Sequence, residues 1–274
     1  MTGGPPSLST IELARRLRLH ALRMTSAARS SHIGSCLSIA DILAVLYGTF
    51  LRFRPTEPGW PDRDRLIVSK GHAAAIVYAA VAEAGFFPVE RLASFGLDGE
   101  TLAGHVTHSG NPGIEISSGS LGHGLSIAAG IALHRKRLQC PGRAVALLSD
   151  GECDEGSTWE AALFAPHHGL DNLIGIVDYN KIQSFGRVDT VLALEPFADK
   201  WRAFGWHVQE IDGHGHEALE EALAIAAAAS VPAVLIAHTI KGKGVSFMED
   251  SLAWHYRSAS PEQLLAAIAE VEAG

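Results

Sequence analysis

The sequence predicts an α/β fold with a doubly wound, mainly parallel sheet and helices on both faces of that sheet. Three observations support this prediction. Strand patterns alternate with alanine-rich helical patterns, the strand patterns are apolar runs without polar alternation, and 47% of the 274 residues are hydrophobic. Continuous apolar runs are typical of strands that are covered on both faces, as in a parallel sheet. We expect one domain over residues 1–274, with residues 1–9 as a flexible leader.

The predicted elements begin with two helices and continue as alternating strands and helices. Ser9 and Glu12 form a capping-box pattern ahead of a long amphipathic helix, and Ser38 and Asp41 form a similar S-x-x-D start for IADILAVLYGTF. The glycine-containing turn RSSHIGSC lies between these helices. The later segments are RLIVS (65–69) with KGHAAAIVYAAVAEAG, RAVALLSD with STWEAALFAPHHG, NLIGIVDYN, WHVQEID with GHEALEEALAIAAAAS, and PAVLIAHT.

Composition excludes several classes of function. The formal net charge is −8, so no basic surface is available to bind a nucleic acid or an anionic membrane, and small molecules are the expected ligands. Cys36, Cys140 and Cys153 are far apart, which argues against a disulfide framework and a cysteine zinc site. No apolar stretch approaches the roughly 20 residues that a membrane helix needs, and the start lacks a signal-peptide pattern. We therefore expect a cytoplasmic protein.

Polar residues follow the predicted strands, at the sheet edge where ligands of doubly wound folds gather. Asp150 follows AVALL and Asn180 ends NLIGIVDYN, so a carboxylate and a carboxamide oxygen leave two strands of one sheet. Together they can bind Mg²⁺, which takes its remaining ligands from phosphate and water, and a diphosphate-bearing ligand is then implied. The alternative is that Asp150 caps the next helix and Asn180 serves a turn. The other strand exits are SKGH, DGHGH and HTIKGKG.

The segment from SDGECDEG to VDYNKIQ resembles the thiamine diphosphate motif, which starts at a GDG and closes at an Asn. Within it, EAALFAPHHGLDNLIGIVDYN is similar to the transketolase branch, in particular to the amino-terminal half of a split transketolase. The resemblance extends over most of the chain, and it implies the thiamine diphosphate-binding fold. It also covers SHIGSCLS (31–38), LIVSKGHAA (66–74), LAGHVTHSGNPGIEISSGSLGHGLSIAAG and TIKGKGVSFMEDSLAWHY.

This resemblance implies a site that holds thiamine diphosphate and Mg²⁺, for which Ca²⁺ or Mn²⁺ can substitute. Asp150, Asn180 and the backbone carbonyl of Ile182 match the magnesium positions, and Gly151 lies against the diphosphate. Glu155 faces the partner chain near the aminopyrimidine and takes part in catalysis. The implied cofactor-binding residues are Gly119, Leu121, His123, Gly151, Glu155, Asn180 and Lys241.

Fourteen histidines are present, and a single histidine is more often a structural hydrogen-bonding group than a ligand. By the resemblance, His32, His72, His105 and His255 line the substrate funnel and are catalytic. Ketol transfer needs proton carriers that act near neutral pH, and imidazoles also hydrogen-bond sugar hydroxyls. Zinc is an alternative for the pairs His105 with His108 and His214 with His216, but neither pair has a recognisable third ligand. Lys241 is the candidate contact of the diphosphate, and the alternative is a solvated lysine in the KGKG loop.

Three departures from the usual family pattern fall close to the expected ligands. The motif starts with SDG where GDG is usual, the third histidine turn reads GHVTH where GHP is common, and LGHG places His123 where glutamine is common. The metal residues are intact. The departures leave the sugar preference open and are consistent with a specialised relative outside central carbon metabolism.

The resemblance also implies a partner. In this family a second domain binds the aminopyrimidine, supplies the glutamate that it needs and carries the arginines for a sugar phosphate. We expect that domain on a C-terminal transketolase subunit, in an α2β2 heterotetramer, with this chain inactive alone. Two alternatives remain: the alpha subunit of a 2-oxo acid dehydrogenase E1 component, which has the same cofactor, and a non-catalytic scaffolding paralogue.

Overall fold

A five-stranded, fully parallel sheet forms the centre of the molecule, as seen in a computed structural model that describes residues 8–274. Residues 1–7 of the predicted leader lie outside the described residues. The strand order is β1-β2-β3-β5-β4. The strands are β1 (Arg65–Val68), β2 (Ala144–Ser149), β3 (Leu173–Tyr179), β4 (His207–Asp212) and β5 (Ala233–His238).

Helices cover both faces of this sheet. They are α1 (Thr10–Ala27), α2 (Ile33–Leu37), α3 (Ala40–Val45), α4 (Ala74–Glu83), α5 (Gly124–Arg137), α6 (Gly156–His167), α7 (Val188–Val191), α8 (Phe197–Ala203), α9 (His216–Ala228) and α10 (Pro261–Ala273). Val145 and Leu147 of β2 belong to the core cluster with α1, α3, α4 and α9. Ala146 and Leu148 belong to the other cluster, with α5, α6 and α8. Alternate residues of a buried strand therefore face opposite helix layers, and the predicted α/β fold is confirmed. Within residues 8–274, no helix combines the length and the apolar character needed to cross a bilayer.

The prediction of continuous apolar strands is wrong for β4. This strand is at the edge of the sheet, pairs only with β5, and has half-buried or exposed side chains along its length. Its sequence, HVQEID, alternates polar and apolar residues because solvent reaches the strand. The four other strands are almost fully buried.

The two predicted helix starts differ in outcome. Ser9 caps α1 by accepting a hydrogen bond from the Glu12 N–H at 3.2 Å, although the Glu12 carboxylate binds Arg15 instead of the cap. The predicted start at Ser38 is wrong, because α3 begins at Ala40 without a side-chain cap. The Ser38 hydroxyl instead donates to the buried Asp178 carboxylate at 2.7 Å. A long-range contact has taken the place of the local cap.

Candidate active site

The carboxyl ends of β2 and β3 lie side by side, because Ser149 pairs in register with Asp178. Asp150 follows β2 and is 1% exposed. One of its carboxylate oxygens accepts the Gly151 N–H at 2.7 Å, and the other accepts the Lys181 N–H at 2.5 Å. Lys181 is the residue between Asn180 and Ile182. The structure therefore brings the Asp150 carboxylate to the segment that carries the other two predicted metal residues.

The side-chain amide of Asn180 has a defined orientation. Its Nδ2 donates to Asp178 Oδ2 at 2.9 Å, and its Oδ1 accepts the Ile182 N–H at 3.1 Å. Lys181 between them has φ +68°, in the left-handed region, so the backbone turns sharply after β3. The Asn180 side chain and the Ile182 carbonyl therefore lie on either side of this turn.

The oxygen atoms at this turn have the chemistry of magnesium ligands. The contacts of the alternative are also present, because Asp150 caps the short helical turn that follows it and Asn180 Oδ1 accepts the Ile182 N–H. Burial, together with the negative charge of Asp178, raises the pKa of Asp150 to about 6, although the charge of Lys241 acts in the opposite direction. One carboxylate, one amide oxygen and one peptide carbonyl are the hard donors that Mg²⁺ accepts. Among the described residues, no group of three or more His, Cys, Asp or Glu side chains is placed to hold a metal ion.

Lys241 follows β5 and is 1% exposed, so the alternative of a solvated loop lysine is wrong. Its ammonium donates to the Ile182 carbonyl and to His255 Nδ1, both at 2.8 Å. Burial and the nearby charge of Lys70 lower the pKa of Lys241 to about 8. Within residues 8–274, Lys241 takes part in no ion pair. Its hydrogen-bond partners are both neutral, and the negative charges of Asp150 and Asp178 act on it without direct contact. A buried ammonium without a hydrogen-bonded carboxylate can bind an anion.

The structure brings the four predicted funnel histidines together. The ring centroid of His32 lies 5.2 Å from that of His72, 5.8 Å from that of His105 and 4.8 Å from that of His255. His32 has φ +75°, and its N–H donates to the His255 carbonyl at 2.9 Å. Its Nδ1 is buried without a hydrogen-bond partner. This unpartnered atom in a cluster of imidazoles indicates a polar ligand.

Three of these rings are neutral at pH 7 in the chain alone. Burial, followed by the positive charges around them, lowers the pKa of His32 to about 4 and that of His255 to about 3. Burial and Lys70 also place the pKa of His72 well below its usual range. The expectation of imidazoles that titrate near neutral pH therefore does not hold here. Neutral rings act as hydrogen-bond donors and acceptors.

The glycine-rich turn before α5 lies beside the SDG turn. Glu152 joins them, because its buried carboxylate accepts the Gly122 N–H at 2.8 Å, the Ser149 N–H at 3.3 Å and the Ser69 hydroxyl. Of the predicted cofactor residues in this turn, Gly119 lies against the His105 ring, and His123 Nδ1 lies 3.0 Å from the Leu121 carbonyl. His105, Gly119 and His123 are exposed, and Leu121 is half-buried.

Glu155 is exposed at the amino-terminal end of α6. Gly122 packs against it: a Cβ on Gly122 would lie 2.7 Å from Glu155 Cβ. This contact places Glu155 beside the glycine-rich turn.

Sequence reasoning did not identify the buried groups behind the site. The missed residues are Lys70, Asp178 and Glu152. Asp178 accepts hydrogen bonds from Lys70, Ser38, Thr239 and Asn180. A charged residue in each of the segments LIVSKGH, SDGECDEG and IVDYN could have indicated these buried groups. Only the fold shows which of the charges are paired.

Residues 9–264 match the family model described as transketolase, thiamine diphosphate binding domain. The chain belongs to the transketolase family. It is 45% identical over 242 residues to SqwG, the 6-deoxy-6-sulfo-D-fructose transketolase subunit from Clostridium sp. (strain MSTE9), with 88% of each chain covered. It is 38% identical over 266 residues to an apulose-4-phosphate transketolase subunit of Phocaeicola vulgatus, with 96% of this chain and 94% of that protein covered.

Solved transketolases have the same fold. Transketolase from Leishmania mexicana superposes with a TM-score of 0.92 at 28% identity, over 97% of this chain and 42% of that one. The chain thus spans less than half of that transketolase and nearly the full length of the two relatives named as subunits. The family match supports a transketolase-type subunit over the 2-oxo acid dehydrogenase alternative.

Proposed function

We propose that this chain is the N-terminal subunit of a transketolase that depends on thiamine diphosphate and Mg²⁺. It transfers a two-carbon ketol unit from a ketose or ketose phosphate to an aldose, and it works in the cytoplasm with a C-terminal partner subunit. One observation carries this proposal above the others. The Asp150 carboxylate accepts the backbone N–H of Lys181, in the turn from Asn180 to Ile182. The Ile182 carbonyl at the end of this turn accepts a hydrogen bond from the buried ammonium of Lys241.

Residues at this turn would hold the cofactor. Asp150, Asn180 and the Ile182 carbonyl bind Mg²⁺, and the ion with Gly151 and Lys241 binds the diphosphate. When bound, thiamine diphosphate would supply the nucleophilic carbon that transfer of a two-carbon unit requires. Gly119, Leu121 and His123 would contact the cofactor, and Glu155 would face the partner near the aminopyrimidine.

The histidines would bind the sugar and hold its protons in place. Lys241 as an ammonium can only donate, so His255 Nδ1 accepts and its Nε2 carries the hydrogen. His32 has a free Nδ1, and His72 and His105 lie beside it. These rings would donate to or accept from sugar hydroxyls and would orient the donor. A bound diphosphate would raise the pKa of His32 and His255, because negative charge favours imidazolium.

The names of relatives support the proposal of a partner chain, because SqwG and the apulose-4-phosphate protein are both named as transketolase subunits. We propose that the partner carries the pyrimidine-binding domain and that the two chains form an α2β2 heterotetramer. The sugar belongs to the class of ketoses with an anionic or polar terminal group. One relative is named for a sulfonated ketose and another for a ketose phosphate, which gives the first substrates to test.

Reconstitution tests this function. The purified chain with thiamine diphosphate, Mg²⁺ and a ketose phosphate should give no transfer, and addition of the partner chain should give transfer to an aldose, measured by product formation. Asp150→Ala in the same complex should abolish transfer, because the metal loses its carboxylate. Robust turnover by the chain alone would refute the partner requirement. Release of carbon dioxide from a 2-oxo acid would refute the transketolase reaction.

A further inference from the structure

The loop after β5, residues 239–244, carries the buried Lys241 and is held by side chains from outside the site. We propose that Arg18, Asp41 and His214, here called the Asp41 cluster, position this loop so that the Lys241 ammonium meets the diphosphate of the cofactor. The inference rests on the proposed function for its ligand. The cluster has no assigned role, and His214 is part of the DGHGH strand exit.

His214 joins the loop to Asp41 through both ring nitrogens. Its Nε2 accepts the backbone N–H of Ile240 at 2.9 Å, and its Nδ1 lies 2.7 Å from Asp41 Oδ2. Because the N–H of Ile240 can only donate, Nε2 has no hydrogen, and Nδ1 donates to the carboxylate. Ile240 directly precedes Lys241. A change in the His214 ring therefore acts on the backbone next to the lysine.

Arg18 joins the other end of the loop to the same carboxylate. Its two terminal nitrogens donate to Asp41 at 3.0 and 2.5 Å, and its Nε donates to the Lys243 carbonyl at 3.2 Å. The Arg18 side chain also packs on Gly244, where an added Cβ would lie 3.2 Å from Arg18 Cδ. Gly244 has φ +94°, so a side chain there would be strained as well as crowded. Asp41 thus reaches the loop on both sides of Lys241.

Asp41 lies on α3, which packs against α1 and α9. It is 5% exposed, and Arg18 is 9% exposed. Burial opposes its ionisation, but hydrogen bonds from His214 and His216 and the Arg18 guanidinium hold the pKa of Asp41 well below its usual range. A buried, fully paired carboxylate restricts its partners to one geometry. The cluster can therefore define the position of the loop.

His216 provides a matched control. Its Nε2 lies 3.1 Å from Asp41 Oδ1, but its Nδ1 contacts the Thr10 hydroxyl at 2.8 Å and no atom of the lysine loop. Both imidazoles are bound to the same carboxylate and are similarly buried, with 12% and 15% of the side chain exposed. Loss of His216 therefore reproduces the loss of an Asp41 partner without the loss of the Ile240 contact.

The test compares His214→Leu, His214→Gln and His216→Leu in the full chain. Backbone amide exchange of residues 239–245 and calorimetric binding of Mg²⁺ with inorganic pyrophosphate, then with thiamine diphosphate, are measured for each. We expect His214→Leu to accelerate exchange in this segment and to weaken pyrophosphate binding about tenfold, the effect of one lost hydrogen bond. His216→Leu should change neither. His214→Gln, which keeps an acceptor and a donor, should restore both.

Three outcomes would overturn the inference. The first is an equal rate of amide exchange for residues 239–245 in His214→Leu and His216→Leu. The second is an equal affinity of these two variants for pyrophosphate. The third is that His214→Gln restores neither the exchange rate nor the affinity. A wild-type chain that binds neither pyrophosphate nor thiamine diphosphate with Mg²⁺ would instead overturn the proposed function, and with it the ligand of Lys241. The exchange measurement separates the two failures, because it needs no ligand.

Discussion

Two buried lysines lie near the site, and their surroundings differ. Lys70 is 0% exposed and forms an ion pair with Asp178, which also accepts hydrogen bonds from Ser38, Thr239 and Asn180. Lys241 is 1% exposed and donates only to a backbone carbonyl and an imidazole. Lys70 has a carboxylate in direct contact. Lys241 has none among the described residues, and Asp150 and Asp178 act on its charge without direct contact. A buried charge without a counterion marks the position of a ligand, whereas a paired one supports the structure.

Removal of the paired lysine should have the largest effect on stability. Lys70→Met leaves Asp178 buried without its cation, and we expect the free energy of unfolding to fall by about 3–5 kcal/mol in urea denaturation. The control is Lys136→Met, which breaks the exposed ion pair with Asp171 and should change stability by less than about 1 kcal/mol. Similar losses for the two variants would contradict the assignment of Lys70 as a compensated buried charge.

Removal of the unpaired lysine should affect binding more than stability. In Lys241→Met, relief of the buried charge offsets two lost hydrogen bonds, so the free energy of unfolding should change by about 1 kcal/mol or less. Calorimetry should show at least an approximately tenfold loss of affinity for pyrophosphate with Mg²⁺, because a charge-assisted hydrogen bond is lost. A large loss of stability with unchanged affinity would make Lys241 a structural residue like Lys70.

The smallest effect is on the protonation of the histidines. By NMR titration, the rings of His32 and His255 should stay neutral from pH 7 down to about 4 and about 3. Addition of pyrophosphate with Mg²⁺ should raise both pKa values towards their usual range, because the added negative charge stabilises imidazolium. If ligand addition leaves both titrations unchanged, the anion does not bind beside these rings.

These pKa shifts also set a sign for the pH dependence of stability. The unfolded chain protonates His32 near pH 6.5 and the folded chain near pH 4, so this ring lowers the free energy of unfolding as the pH falls through that window. Asp150 acts in the opposite direction as the pH falls through 6, because burial raises its pKa to about 6 and the folded chain then binds the proton. Urea denaturation of His32→Asn should show a weaker loss of stability than wild type between pH 6.5 and 4.

The apolar runs and the polar residues after them were enough to predict the α/β fold and the proximity of Asp150 to the Asn180 turn. Strand exits are predictable because parallel strands end at one edge. Two predictions were wrong, the helix start at Ser38 and the apolar character of β4. The pairing of Lys70 with Asp178 was not predicted. Each depends on contacts distant in sequence: 140 residues separate Ser38 from Asp178. The pKa values of the histidines depend on burial, which a sequence pattern does not specify.

The most direct test of the central claim is calorimetric titration of thiamine diphosphate into the chain with Mg²⁺, with a chelator in place of Mg²⁺, and with Asp150→Asn in Mg²⁺. The account predicts that binding requires the metal and is strongly weakened by Asp150→Asn, which keeps the shape of the side chain and removes its charge. Equal binding with and without Mg²⁺, or equal binding by wild type and Asp150→Asn, would contradict a metal-anchored diphosphate at the ends of β2 and β3.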